Sequence, residues 1–359
     1  MIGYYCTTSY HLMIAILIAL CKGNKAKQAL FITPHFKNIH GDILFLKKSG
    51  LFKDIIYLDD HYGSRCYLLY RKYRNIFFYK NAKLYCLNNK FREFIFFPGS
   101  LFFACYFAKM IFSNSPECEF SFGEDGLASY INHAEYRLQK RQSKFFLKLF
   151  GVKKYLKFYS SLYVIEPDLV INEGMFLLKK IQRKQKNTYE FKELIERVFG
   201  HNELPPCDVL FLQQPFMADS AKLKTLDEIQ TKALAIVSKL IGSKKGYVKI
   251  HPRTISAGNI PKNLNVIAGN GLFEASIVKK INHEIIVTVC STAAISPFII
   301  WGYTPTIYLL YKIDKNFSLS RNLKIFLEKF KVKYQESGGK IYEPESLDDF
   351  YSALKNNII

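Results

Sequence analysis

The chain has 359 residues, 49% of them apolar, which is enough for two domains of ordinary size, each with its own core. Its 51 Lys and Arg outnumber 30 Asp and Glu, and the net charge of +21 implies polyanionic surroundings: nucleic acid, an anionic membrane or acidic glycans. The eight cysteines are scattered with no Cys-x-x-Cys pair, so neither a zinc site nor a disulfide framework is indicated, and a reducing, cytoplasmic compartment is expected.

Residues 2–6 read as a first strand, and Thr7-Thr8-Ser9 as the cap of a helix over 10–20. The apolar run 10–21 is shorter than the roughly 20 residues a membrane span needs, and no Lys or Arg precedes it to make a signal peptide. Strands follow at 29–32, 54–58, 83–86 and 119–122, with a helix around 41–50. Residues 94–113 are apolar but broken by Pro98-Gly99 and carry Lys109, which favours a buried strand–turn–helix over a span. Residues 137–163 interleave basic and aromatic side chains with no acid at all. That pattern suits a solvated helical surface, or a patch facing a membrane or an anionic acceptor.

A strand at 169–172 and a helix at 188–199 close the first half, and the polar, proline-containing stretch 200–206 reads as a linker. The second half repeats the alternation: strands at 208–212, 246–251, 265–267, 284–290 and 306–310, and helices at 223–241, 272–280 and 292–300. The predicted domains are 1–200, 207–340 and a C-terminal helix in 341–359, opened by Asp348 and Asp349. Strands alternating with helices make this an α/β chain of two Rossmann-like halves, the layout of two-domain sugar-nucleotide transferases with the active site in the cleft between domains. No Gly-x-Gly-x-x-Gly or Gly-x-x-x-x-Gly-Lys run is present, which argues against dinucleotide and P-loop chemistry.

Four short motifs carry chemistry. Phe122-Gly123-Glu124-Asp125-Gly126 follows a strand, and its glycines let the backbone turn and expose the carboxylates, one of which can take a proton from a hydroxyl. Lys249-Ile250-His251-Pro252-Arg253 puts a histidine at a strand end between two cations, which suits a phosphate. Gly271-Leu272-Phe273-Glu274 offers a lone acid that can accept hydrogen bonds from a ribose or simply start a helix. Cys290-Ser291-Thr292 opens a helix, either as an anion site or as a plain cap.

In this order the motifs resemble those of bacterial sialyltransferases: acidic-acidic-Gly, His-Pro and Ser-Ser/Thr. The opening Tyr5-Cys6-Thr7-Thr8-Ser9-Tyr10-His11-Leu12 and the segment Val209-Leu210-Phe211-Leu212-Gln213-Gln214-Pro215 are similar to glycosyltransferase family 52, the lipooligosaccharide sialyltransferases. The resemblance implies two facing Rossmann-like domains of GT-B type and inverting, metal-independent transfer of sialic acid from CMP-sialic acid, with no cofactor. It implies Asp125 as general base with Glu124 beside it, and His251 as acid or cationic partner on the departing phosphate. Ser291 and Thr292 would hold that phosphate and Glu274 the ribose, with Lys249, Pro252, Arg253, Gly271 and Phe273 completing the donor site. In some members the base is an aspartate after the Gln-Pro turn, which here makes Asp219 a rival to Asp125.

The partners implied are a CMP-sugar donor, an oligosaccharide or glycolipid acceptor of a bacterial surface glycan (lipooligosaccharide or capsule), an anionic membrane surface at the inner face of the plasma membrane, and a second copy in a homodimer. A polysialyltransferase, or a transferase of another CMP-activated nonulosonic acid, is the runner-up. From a different class, a basic nucleic-acid- or membrane-binding protein without catalysis fits the charge. No zinc finger, glycine-aromatic RNA motif or helix-turn-helix accompanies that charge, so nucleic acid is not expected as a partner.

Overall fold

Short runs rich in aromatic and β-branched residues pair into two all-parallel sheets, one in each half of the chain. The computed structural model describes residues 1–23, 27–33, 40–58, 80–97, 101–131, 148, 151–171, 176–182, 185–199, 205–216, 223–251, 254, 260–267, 272–277 and 285–358. Two compact units result, Met1–Phe199 and Gly200–Ile359.

The strands of unit 1 are β1 Ile2–Cys6, β2 Gln28–Ile32, β3 Asp54–Tyr57, β4 Glu93–Phe96, β5 Glu119–Phe122, β6 Tyr159–Val164 and β7 Leu177–Lys180, in the order β3-β2-β1-β4-β5-β6-β7. Those of unit 2 are β8 Val209–Leu212, β9 Gly246–Lys249, β10 Asn265–Ile267, β11 Ile285–Thr288, β12 Thr306–Leu309 and β13 Ile341–Tyr342, in the order β10-β9-β8-β11-β12-β13. Both follow the Rossmann pattern, in which chain order reverses beside the first strand of the sheet. Ligands bind such sheets where the carboxyl ends of the strands flank that reversal. In unit 1 it lies between β1 and β4, in unit 2 between β8 and β11.

Among the described residues the helices of unit 1 are α1 Ser9–Lys22, α2 His40–Lys48, α3 Lys80–Asn88, α4 Leu101–Phe112, α5 Leu127–Tyr130 and α6 Gln185–Phe199. Thr8 caps α1 by accepting the His11 N–H, and Gly23, at φ +75°, ends it. Residues 11–20 of α1 are all buried, which an apolar circumference requires, and the helix lies against α6. Unit 2 contains α7 Lys224–Leu240, α8 Phe273–Ser276, α9 Arg321–Glu336 and α10 Leu347–Ile358. Its core joins Val209, Phe211, Val248 and Val287 of the sheet to Ala233 and Val237 of α7 and Phe350, Leu354 and Ile358 of α10.

Several expectations are corrected. Residues 83–86 are helical, within α3, because Ala82, Tyr85 and Cys86 form an i, i+3, i+4 stripe turned inward while Leu84 and Leu87 face out. Of the strand expected at 169–172, residue 172 lies outside the described residues and 169–171 are not strand: Leu169 ends a 3₁₀ turn, Pro167–Leu169, and the carbonyls of Glu166 and Pro167 accept the N–H groups of Leu169 and Val170. The sheet instead takes Tyr159–Val164, from the end of the basic-aromatic stretch, and Leu177–Lys180. The expected helix at 292–300 is a 3₁₀ turn, Thr292–Ala294, followed by a π turn, Pro297–Trp301. The strand expected to reach His251 ends at Lys249. Helix α9 and strand β13 were not anticipated.

Candidate functional site

In unit 1 the carboxyl end of β5 runs into Gly123-Glu124-Asp125-Gly126. A Cβ on Gly123 would lie 2.3 Å from the Phe97 ring, and Gly126 adopts φ +56°, so glycine serves close approach at one end of the turn and a left-handed backbone at the other. The turn separates the two acids. Glu124 is fully buried; its carboxylate accepts from Tyr10 Oη, Tyr130 Oη and the Ile165 N–H, each at 2.8 Å. Burial raises its pKa to about 7 against the opposing pull of those donors. Of the pair expected at the surface, only Asp125 reaches it, with its side chain 22% exposed.

Asp125 Oδ1 lies 2.8 Å from Nε2 of His11, whose side chain is 1% exposed. On the far side of the ring, Nδ1 lies 3.3 Å from the Thr7 nitrogen and 3.0 Å from Thr7 Oγ1. The ring stacks on Phe97 at 5.1 Å, and the Asp125 N–H donates to Ser129 Oγ at 2.7 Å. His11 and Tyr10 are functional candidates that motif reasoning missed. Their signal was their place in the first turn after β1, beside the reversal of the sheet.

In unit 2 the sheet order brings three motifs to one edge. His251 lies just past β9, Gln213-Gln214-Pro215 past β8 and Ser291-Thr292 past β11, on neighbouring strands. Gln214 joins two of these ends: its Oε1 accepts the Cys290 N–H at 2.8 Å and the Thr288 hydroxyl at 3.3 Å. Its own N–H donates to Gln230 Oε1 at 2.8 Å. Ser291 accepts the Ala293 N–H at 3.3 Å, the capping use, and Thr292 beside it is exposed.

Lys249 closes β9; burial lowers its pKa, and the charge of Glu274 acts in the opposite direction. Burial raises the Glu274 carboxyl, with a hydrogen bond to Ser296 and the Lys249 charge opposing. Lys249 and Glu274 therefore sense each other across the sheet edge. Phe273 is buried beneath, and the single tryptophan, Trp301, donates its Nε1–H to the Glu274 carbonyl at 2.9 Å, tying α8 to the π turn. Asp219, Pro252, Arg253 and Gly271 lie outside the described residues. Among the described residues no group of three or more His, Cys, Asp or Glu is arranged to hold a metal ion, and no helix is long and apolar enough to cross a membrane.

The model of a family described as Alpha-2,8-polysialyltransferase (POLYST) matches residues 4–309, a span that includes every candidate residue above. No curated protein matches the chain in sequence. Among solved structures, the chain is similar to an alpha/beta-galactoside alpha-2,3-sialyltransferase from the luminous marine bacterium Photobacterium phosphoreum, with a TM-score of 0.57 and 13% identity over 95% of this chain and 97% of that one. It is also similar to CalG4, the calicheamicin glycosyltransferase (TM-score 0.52, 10% identity, 99% and 89% covered). A third likeness is to the UDP-GlcNAc 2-epimerase of Neisseria meningitidis (TM-score 0.50, 11% identity, 99% of each chain). At these identities the likenesses establish the GT-B architecture of two Rossmann-like units, which transferases and an epimerase share.

Proposed function

The chain belongs to the alpha-2,8-polysialyltransferase family and is a sialyltransferase, a glycosyltransferase using a nucleotide-sugar donor and a glycan acceptor, and we propose that it moves sialic acid from CMP-sialic acid to a hydroxyl of a terminal sugar on a bacterial surface glycan. The observation that carries the reading is the half-open Asp125, the one acid of the Glu124-Asp125 turn that meets solvent, held at the carboxyl end of β5. Asp125 takes the proton of the acceptor hydroxyl as its oxygen bonds to the anomeric carbon of the sialyl group. The bond from that carbon to the phosphate oxygen breaks on the opposite side, inverting the centre, and CMP departs. His251 supplies the proton or the positive charge that the departing phosphate needs.

In the donor site Ser291 and Thr292 bind the phosphate, Lys249 and Arg253 supply cationic charge and Glu274 accepts from the ribose, with Phe273, Gly271 and Pro252 shaping the pocket. The reading uses no metal. Protein cations meet the charge that a metal would otherwise meet.

The family description favours one specific second reading, in which the acceptor itself ends in sialic acid and the enzyme extends an α-2,8 chain. Incubation with CMP-sialic acid and a panel of galactose- and sialic-acid-terminated acceptors, read by mass spectrometry, separates the two. No transfer to any acceptor, with no release of CMP, would overturn both. Asp125→Ala and His251→Ala should each lower kcat by about a hundredfold or more while far-UV circular dichroism stays unchanged. Full activity of Asp125→Ala beside a dead Asp219→Ala would move the base to Asp219.

Four exposed lysines, Lys148, Lys153, Lys154 and Lys157, stand around the 3₁₀ turn Lys153–Phe158, with Lys154 over the Tyr155 ring and Lys157 over Phe158. Together with the net charge of +21, this patch supports docking of the enzyme on the anionic inner face of the plasma membrane.

A further inference from the structure

Two adjacent residues of one helical turn grip two adjacent acids. Tyr10 reaches Glu124 and His11 reaches Asp125, each across 114 residues of chain. The strands that deliver them, β1 and β5, are not neighbours in the sheet. β4 lies between them, and Phe97 just past its end carries the stacked His11 ring.

The direction of the hydrogen bonds follows from the backbone. The Thr7 N–H can only donate, so Nδ1 of His11 is an acceptor. The ring proton therefore resides on Nε2 and is donated to Asp125 Oδ1. His11 is buried and Asp125 is the group that meets solvent, so the imidazole stands behind the carboxylate and does not touch substrate.

We propose that His11 is a positioning residue for the transfer reaction: its Nε2–H fixes Asp125 Oδ1, so that the second carboxylate oxygen is aimed to take the proton of the acceptor hydroxyl. This rests on Asp125 as the base. The His11 proton stays on Nε2 throughout, and the acceptor proton ends on Asp125.

The test compares His11→Asn, His11→Gln and Asp125→Asn in the full chain, with kcat and both KM values. An asparagine can still accept from Thr7 but falls short of Asp125, whereas a glutamine amide can reach Asp125 as a donor. The expected result for the asparagine variant is a loss of about tenfold to a hundredfold in kcat, because a misaimed base costs that much. The KM for CMP-sialic acid should not move. The glutamine variant should recover most of the rate. Wild-type behaviour of His11→Asn beside an inactive Asp125→Asn would overturn the inference and leave the base assignment standing. An active Asp125→Asn would overturn both. Equal impairment of the two His11 variants would reduce His11 to packing and also overturn the inference. Should His11→Asn fail to fold, ¹⁵N shifts of the ring in the wild-type chain decide: a protonated Nε2 with a bare Nδ1 supports the assignment, and the reverse tautomer overturns it.

Discussion

Glu124 illustrates how burial divides two neighbouring acids. Its folded pKa, about 7, lies above its ordinary value of 4.5, so the folded state holds its proton more tightly than the unfolded chain does. Its contribution to stability is therefore full below pH 4.5 and is lost as pH rises through about 7. In Glu124→Gln the Tyr10 hydroxyl can rotate to accept from the new amide, and the titrating group is gone. Urea midpoints measured from pH 4.5 to 7.5 should fall more steeply for wild type than for this variant; parallel curves would refute the assignment. The site was only half legible in the sequence for a related reason. The acidic-acidic-Gly and His-Pro strings are local and could be read directly, whereas Tyr10 and His11 acquire meaning only when a partner 114 residues away arrives beside them.

Among the elements, those buried on both faces were readable because continuous apolar runs such as 29–32 and 209–212 have no alternative use. Strand β6 escaped because Ser161 interrupts its apolar pattern, and hydrogen bonds to Ser121 at 2.7 Å and to the Glu119 carboxylate at 3.3 Å make a buried serine acceptable there. Strand β7 escaped because it forms one edge of the sheet and carries lysines, and Lys179 spends its charge on Glu93 and Glu119. Helix α10 was readable from its opening acids, but its importance to the core was not. Phe350 is fully buried against Tyr308, with ring centroids 5.5 Å apart. Phe350→Ala should cost about 3–5 kcal/mol of unit 2 stability in urea titrations, as large-to-small changes in cores do. A cost under about 1 kcal/mol would show that the helix is dispensable to the core.

At the scale of the whole molecule, charge dominates what the surface can approach. The excess of 21 positive charges predicts co-sedimentation with anionic vesicles and not with neutral ones. The binding should vanish between about 0.1 M and 1 M salt, as the screening length shrinks from about 10 Å to 3 Å. Binding that ignores salt, or that treats neutral vesicles alike, would argue against a headgroup partner. The two units also differ in when they can form. Unit 1 has all its strands by residue 199, but the core of unit 2 lacks its final wall until α10 is made, although its first strand begins at Val209. At about 5–20 residues per second of synthesis, the ribosome needs roughly ten to thirty seconds to travel from one point to the other. During that interval the acidic turn, gripped by His11 and Tyr10, can already be in place, while the part of the unit 2 core that Phe350, Leu354 and Ile358 complete stays open. Nascent-chain chaperones would be expected to meet this protein at its second half.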